Sequence, residues 1–317
     1  MLKISKKLTS NLVWISASQF VLLVSNLLLL KLFTTKLTVD DFSNYSLLMS
    51  ILVFLRQLTF DSFSMVVGKN SASHSGDKKN VSYYFQVVRY VTDRAAVFIF
   101  LSGVLIAISC GLLDLNDSFA LVVLFGAIYF LSNGALGIYL NVLNSVDERA
   151  NASKIAMADA VLKLILPTVA FIYVKKDLLI AMQAVSIGAL ITFFYSRFFI
   201  KSELIKSEIT KSVKGEVVRT FLLCFPLLFS SALNAFKSVG DRWLLAAFLG
   251  LNEFGGYTVL LQIGYLPVIL VFGVIQTFLG PEIYKLCASN TRQSKCRIKK
   301  IMIGLIYSSV GCVVLLG

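Results

Sequence analysis

Charged residues are scarce in this sequence. Only 15% of its 317 residues are charged and 57% are hydrophobic, whereas an ordinary soluble domain has about a quarter charged residues. The shortage excludes a soluble globular protein. Apolar runs such as residues 94–113 reach the roughly 20 residues that a helix needs to cross a bilayer. They also lack the alternation of transmembrane strands. The composition therefore predicts an all-α polytopic membrane protein.

Metal-ligating and redox motifs are also missing. The chain has a single histidine, His74, and five cysteines, no two of which have CxxC spacing. These counts exclude the common zinc and thiol redox motifs, and no glycine-rich nucleotide-binding loop is present. We therefore expect no metal and no other cofactor. The first apolar run lacks a small-residue cleavage site, which predicts a retained helix rather than a removed signal.

Nine apolar runs are long enough to be membrane spans. Of the 30 Lys and Arg residues, 22 lie at the N-terminus and in every second loop, whereas the intervening loops hold only Lys36, Lys175 and Lys176. The positive-inside rule therefore predicts a multi-pass protein with a cytoplasmic N-terminus. The net charge of +13 is then a basic rim facing anionic lipid, not a nucleic-acid site. The predicted spans are residues 11–33, 43–68, 94–113, 118–143, 152–174, 178–200, 220–248, 255–283 and 300–317.

A twelve-residue pattern occurs twice, 212 residues apart. Residues 40–51 read DDFSNYSLLMSI and residues 252–263 read NEFGGYTVLLQI, so Phe, Tyr, Leu and Ile recur at matching positions. The repeated aromatic residues are expected to anchor the helices at the outer membrane interface. They are Phe42, Tyr45, Phe254 and Tyr257. Six predicted spans separate the two copies. An even number predicts a parallel repeat of a six-helix unit, with substrate bound between the halves.

The repeat divides the chain into two lobes. Residues 1–200 are predicted to form an N-terminal lobe of six transmembrane helices, and residues 201–219 a cytoplasmic linker. Residues 220–317 would form a partial C-terminal lobe of three helices. The predicted external loops are all short, which leaves no room for an external domain.

Residues 225–267 resemble the start of the second lobe in the polysaccharide flippases of the multidrug/oligosaccharidyl-lipid/polysaccharide (MOP) superfamily. The resemblance rests on Pro226, the Asp241–Arg242 pair, Gly250 and the Gly255–Gly256–Tyr257 turn, with Pro281 in the next helix. In the first copy of the repeat, Ser43 and Asn44 stand where glycines are usual. The chain is most similar to the O-antigen (Wzx-like) type. That family has more than the nine spans predicted here, so the chain looks C-terminally truncated.

The resemblance implies a transporter of the bacterial cytoplasmic (inner) membrane and not an enzyme. It implies a flippase that moves undecaprenyl-pyrophosphate-linked oligosaccharide, the repeat unit of O-antigen lipopolysaccharide, capsule or exopolysaccharide, by alternating access. The partners would be this lipid-linked substrate, membrane lipids and other polysaccharide-assembly proteins. Three alternatives stay open: a membrane polysaccharide polymerase or glycosyltransferase, a MATE-like drug or cation antiporter, and a truncated remnant that does not transport.

Ionisable residues inside the spans are the candidate substrate-binding residues, because charge within a membrane is costly. Asp159 and Lys163 are four residues apart near the middle of the fifth span, on one helix face. They predict either a cation site or a structural ion pair. Arg56 lies deep in the second span, where a guanidinium suits a phosphate. We expect Arg56 and Lys163 to hold the pyrophosphate together.

The other candidates are Lys237 and Asp241, a second i, i+4 pair with Arg242 beside it, and Lys31 and Asp61. The Lys237–Asp241 pair equally predicts a salt bridge that closes the lobes. The position of Lys31 near the outer end of its span favours a side chain that reaches the interface over a binding role. Asp61 lies near the cytoplasmic face and equally predicts a simple interface role. Within the spans, five cations outnumber three acids. This balance favours an anionic substrate over a cationic drug or a metal ion.

Overall fold

The computed structural model of the protein describes residues 6–73, 78–112, 117–174, 176–203 and 213–289, together with positions 295, 298–301, 303 and 304. Within these ranges the chain is helical with short turns and has no strand. The elements are α1 (Lys6–Lys36), α2 (Val39–Arg56), a π-helical turn (Gln57–Asp61), α3 (Ser62–Ser73), α4 (Lys78–Leu112), α5 (Asp117–Ser145), α6 (Arg149–Tyr173), α7 (Leu178–Glu203), α8 (Val213–Leu249) and α9 (Leu251–Ser289).

Within the described residues, six helical segments are long and apolar enough to cross a membrane, and α9, which bends by 47° near its middle, makes a seventh if it is one span. The predicted all-α polytopic fold is therefore confirmed. The second predicted span is one continuous segment through α2, the π-helical turn and α3. The third predicted span falls within α4, several of whose side chains lie outside the described residues. The ninth, residues 300–317, lies almost wholly outside them, so the count of nine stays a prediction.

Helices α1 to α7 form one bundle in which α1 packs on α6, and α5 packs on α4 and α7. Its interior holds two apolar clusters. One is built around Phe33, Tyr45 and Met182, and the other around Phe85, Tyr139 and Leu143. The outward surface is also apolar, with large exposed side chains that include Val97, Ile172, Phe198, Phe229 and Phe248. A surface of this kind requires a non-aqueous surrounding such as lipid.

Helices α8 and α9 pack against α1, α2, the π-helical turn and α3. The repeat explains this arrangement, since α2 begins at Val39 and α9 begins at Leu251, 212 residues later. The residues before these helices also correspond. Thr38 caps α2 by accepting a hydrogen bond from the Asp41 amide, and Gly250 has a φ of +91°, a conformation that favours glycine at a helix end.

The two copies of the repeat meet at equivalent positions. Ser43 of α2 lies against Gly255 of α9, where a Cβ added to the glycine would be 3.7 Å from the Ser43 Cβ and would collide with its hydroxyl. Contact between equivalent residues is what a two-fold axis produces. Phe42, Tyr45 and Phe254 are buried in the protein. The expectation that they anchor the helices at the membrane interface is therefore wrong: the α2–α9 crossing covers Phe42, and the Tyr45 ring packs on Phe33 of α1. Tyr257 is half-buried and donates to Asp241.

Candidate functional site

A polar cavity of about 510 Å³ lies between the α1–α7 bundle and α9. We call it the central cavity. It is lined by α1, the α2–α3 segment, α5 and α6 on one side, and by α9 on the other. Its hydrogen-bonding and charged lining residues include Gln19, Arg56, Asp61, Asn141, Asn144, Gln276, Thr277 and Tyr284. A cavity of this size and polarity, lined by membrane helices, suits a polar ligand.

Arg56 and Asp61 are brought together by the π-helical turn. Residues five apart in a regular α-helix point about 140° away from each other, at 3.6 residues per turn. The wider turn over Gln57–Asp61 reduces this angle, and both side chains line the central cavity, with Arg56 Nη2 3.8 Å from Asp61 Oδ2. Single π-helical turns occur frequently at functional sites. This turn places Arg56 and Asp61, which would lie on different faces of a regular helix, together in the central cavity.

The Arg56 guanidinium has hydrogen-bond donors without partners among the described residues. Its side chain is 31% exposed, and among the described residues it makes no hydrogen bond. The contact with Asp61 is longer than a hydrogen bond. A guanidinium with unoccupied donors in a polar membrane cavity is well placed to bind an anionic group in the bidentate manner.

The π-helical turn is held in place by a ring that packs against a glycine. Phe60 lies on Gly134 of α5, where an added Cβ would fall 2.6 Å from Phe60 Cγ, and its ring centroid is 5.2 Å from that of Phe130. Asn141, also on α5, donates to Ser64 Oγ and to the Ser64 carbonyl at 2.8 and 2.9 Å. These contacts fix the turn that carries Arg56.

Replacing Gly134 with alanine is expected to destabilise the protein by about 1–3 kcal/mol, because the new methyl group overpacks the Phe60 ring. Thermal unfolding in detergent measures the loss, and adding Phe60→Leu should restore much of it by vacating the space. Gly264→Ala is the matched control, since nothing lies within 4 Å of the position of its Cβ. Equal unfolding temperatures for Gly134→Ala and the control would contradict this packing.

Contacts join α9 to the rest of the protein near both of its ends. Near the start of α9, besides Ser43 and Gly255, Trp243 of α8 donates to Ser50 of α2 at 2.8 Å. Ser43 and Ser50 belong to α2, so this group of contacts joins α2 to α8 and α9. We call it the α1–α2 end of the molecule.

The other group of contacts lies about 40 Å further along α9, at 1.5 Å per residue, where the α5–α6 turn meets the helix. Arg149, whose side chain is only 1% exposed, donates to Glu282 at 2.8 Å and to the Phe278 carbonyl at 3.3 Å. Lys285 donates to Asp147 at 2.7 Å. Asp147 has a φ of 66°, which aspartate tolerates better than most residues. We call this the α5–α6 end.

The predicted Asp159–Lys163 pair forms, but away from the central cavity. Lys163 Nζ is 2.6 Å from Asp159 Oδ2 and 3.1 Å from Asn133 Oδ1, and Thr192 donates to Asp159 Oδ1 at 2.7 Å. Lys163 Nζ also lies 5.4 Å from the centre of the Tyr129 ring. The group joins α5, α6 and α7 between the two apolar clusters. Neither charged residue is in the cavity lining, so the structure does not bring Lys163 together with Arg56.

Replacing Lys163 with alanine is expected to destabilise the protein by about 3–5 kcal/mol, because Asp159 is left as an uncompensated buried charge. The double replacement Lys163→Leu with Asp159→Leu should recover most of that loss, since the charge is removed with its partner. Thermal unfolding and protein level in membranes are the measurements. A single variant with unchanged stability would show that this ion pair does not support the bundle.

The remaining predicted residues are dispersed. Asp241 accepts a hydrogen bond from Tyr257 at 2.6 Å, while Lys237 is exposed and forms no ion pair among the described residues. The predicted Lys237–Asp241 bridge is therefore not made, because Tyr257 occupies the carboxylate. Arg242 is half-buried and Lys31 is exposed. None of these four lines the central cavity.

Sequence reasoning missed the ionic contacts at the α5–α6 end. In the sequence, Asp147, Arg149 and Lys285 look like ordinary loop charges. Asp147 and Arg149 precede their partners on α9 by more than 130 residues, so no local spacing connects them. Asn141 and Gln276 carry a usable signal, being amides inside apolar runs, although such amides more often link helices. Asn141 does both. Among the described residues, no group of three or more His, Cys, Asp or Glu side chains could hold a metal ion.

Comparison with known proteins agrees with the fold. A family model described as polysaccharide biosynthesis protein matches residues 8–286, and no curated protein sequence matches the chain. Among solved structures, a ligand complex of the MATE multidrug transporter DinF-BH is 14% identical, with a TM-score of 0.64 over 94% of this chain and 70% of that one.

Two further solved structures are similar. An outward-facing MATE multidrug resistance transporter of the MOP superfamily is 13% identical, with a TM-score of 0.65 over 98% of this chain and 74% of that one. A mutant of the Vibrio cholerae MATE transporter VcmN is 13% identical, with a TM-score of 0.66 over 94% of this chain and 69% of that one. At these identities the likeness establishes the fold alone, which is the fold of these MATE transporters.

Proposed function

The chain belongs to the polysaccharide biosynthesis protein family, and we propose that it is a flippase for undecaprenyl-pyrophosphate-linked oligosaccharide. The central cavity is the observation that carries the proposal. It combines one guanidinium with free donors, Arg56, and a set of amides and hydroxyls. The guanidinium suits a pyrophosphate, and the amides suit sugar hydroxyls.

The geometry supports different roles for the two cations that the sequence singled out. Arg56 is the residue that contacts the pyrophosphate. Lys163 is a positioning residue, because Asp159 and Asn133 already occupy its ammonium group. Asp61 orients Arg56 before the substrate binds and exchanges with the substrate phosphate, since their 3.8 Å contact between half-exposed groups is weak.

Alternating access follows from the repeat. Residues 1–200 act as one lobe, residues 220–317 as part of the second and residues 201–219 as the linker, with α8 and α9 rocking against α1 to α3. The contacts at the α1–α2 end and those at the α5–α6 end would then open in turn, which would give the central cavity access to one side of the membrane at a time. The positive-inside rule orients the α5–α6 end toward the cytoplasm of a bacterial inner membrane.

The lipid-linked sugar pool tests this function. Cells that lack the gene should accumulate undecaprenyl-linked repeat units on the cytoplasmic face and lose surface polysaccharide, and the intact gene should reverse both effects. In vesicles, the purified protein should move a fluorescent polyprenyl-pyrophosphate oligosaccharide between leaflets. Normal surface polysaccharide together with an unchanged lipid-linked pool would overturn the proposal.

A MATE-like drug or cation antiporter is the second candidate, because the structural neighbours are described as multidrug transporters. The charge of the central cavity opposes it, since Arg56 balances Asp61, the single carboxylate in the described lining. The same vesicle assay distinguishes the two activities, because an antiporter would move a cationic dye across the membrane and a flippase would not. A polymerase or glycosyltransferase would instead lengthen the oligosaccharide in this assay, and a non-transporting remnant would do neither.

A further inference from the structure

A second cavity, of about 330 Å³, lies on the outer surface of the bundle between α4, α5 and α7. We call it the α4–α5–α7 groove. Its walls are apolar, with Ile128 and Leu131 of α5 facing Phe193 and Phe194 of α7. Phe194 is 57% exposed, so the groove is open to the surroundings of the helices. It shares no lining residue with the central cavity.

One end of this groove is basic. Arg197 of α7 lines it and forms a bidentate pair with Asp93 of α4, at 2.5 and 3.1 Å. Arg89 lies one turn before Asp93 on α4, with its Nε 3.8 Å from the Asp93 carboxylate. Two guanidiniums therefore accompany one carboxylate, which leaves a net positive charge at the end of an apolar channel.

A hydroxyl inside the groove is also without a partner. Ser132 lines the groove and is fully buried, yet among the described residues its hydroxyl makes no hydrogen bond. A buried hydroxyl normally has a partner. An ester carbonyl at the boundary between a lipid headgroup and its chains would supply one.

We propose that the α4–α5–α7 groove is a binding site for an anionic phospholipid. One acyl chain occupies the apolar groove, the Ser132 hydroxyl donates to the ester carbonyl, and the phosphate diester contacts Arg89 while Arg197 remains paired with Asp93. Charge complementarity selects this occupant: a zwitterionic lipid carries a cation that the net positive charge of Arg89, Arg197 and Asp93 would repel, and basic pockets between membrane helices bind anionic headgroups. The site is independent of the transport substrate, whose pyrophosphate is assigned to the central cavity.

Binding to the purified full chain tests this site. In mild detergent at about 0.15 M salt, where surface charges are screened beyond roughly 8 Å, phosphatidylglycerol should raise the unfolding temperature and appear as a bound adduct in native mass spectrometry. Phosphatidylcholine should do neither. The variant Arg89→Gln should bind phosphatidylglycerol about fivefold more weakly, as expected for the loss of one charge at a membrane surface. Lys36→Gln is the matched control, because it removes an exposed charge remote from the groove, and it should bind as the unchanged chain does.

A steric variant tests the groove itself. Ala127→Leu adds bulk to the groove wall and should reduce binding, whereas Ile172→Leu, on an exposed face of α6, should not. Equal stabilisation by phosphatidylglycerol and phosphatidylcholine would overturn the proposal, as would full phosphatidylglycerol binding by Arg89→Gln. Selective binding of a polyprenyl phosphate at this site would also overturn it, by assigning the groove to the transported lipid.

Discussion

Arg56→Gln is expected to abolish surface polysaccharide while leaving the protein folded and at its normal level. Arg56 is the only cation in the described lining of the central cavity, and removing one partner of a desolvated charge pair with a phosphate costs about 2–5 kcal/mol. Transport should therefore fall by at least about thirtyfold. Stability should change little, because the 3.8 Å contact of Arg56 with Asp61 joins two half-exposed groups and contributes little.

Two variants sharpen the Arg56 experiment. Arg56→Lys keeps the charge but loses the bidentate fork, and it should retain partial transport. Lys31→Gln removes a charge from an exposed position on α1, outside the central cavity, and should transport normally. The measurements are surface polysaccharide in complemented cells and leaflet exchange in vesicles. Full transport by Arg56→Gln would remove this residue from the mechanism, and loss of transport with loss of protein would indicate a structural role.

A disulfide across the α1–α2 end is expected to stop transport reversibly. The Cβ of Ser43 would lie 3.7 Å from a Cβ added to Gly255, a separation within the range of about 3.5–4.5 Å found in disulfides. The double variant Ser43→Cys with Gly255→Cys should therefore crosslink under mild oxidation. If this end must open in every cycle, the oxidised protein should be inactive, and a reducing agent should restore the transport rate.

Crosslinking is measured by a gel shift after cleavage of the chain between α2 and α9, alongside the vesicle assay. Each single cysteine variant, oxidised in the same way, is the control for damage to the native cysteines, of which Cys287 is exposed. Transport at an undiminished rate by the crosslinked protein would contradict alternating opening at this end. The Gly134→Ala and Lys163→Ala experiments would be unaffected by that outcome, since they test packing within the bundle.

The sequence predicted the general architecture well because hydropathy acts locally. A run of about 20 apolar residues determines a membrane helix wherever the helix packs, so the α-helical class and the segments of α1, α5, α6, α7 and α8 follow from it. The internal repeat could also be recognised from the sequence alone. A match between residues 40–51 and residues 252–263 requires no knowledge of contacts, and both copies do begin helices, at Val39 and Leu251.

The candidate site was predicted only in part. Arg56 and Asp61 could be identified because charges inside spans are rare, and both line the central cavity. Lys163 stood out for the same reason, but its ammonium is satisfied by Asp159 and Asn133 within the bundle. Depth along a helix was visible in the sequence, whereas the direction of the side chain relative to neighbouring helices was not.

The sequence by itself determined the chain's membrane class, its helical segments and its internal repeat, because each depends on the composition or order of nearby residues. Only the tertiary structure decided which charges meet. The π-helical turn changes the helix phase so that Arg56 and Asp61 share one face, and the packing of α9 against the α5–α6 turn pairs Arg149 with Glu282. Both depend on how helices far apart in the chain fit together, and that fit is a property of the packed molecule.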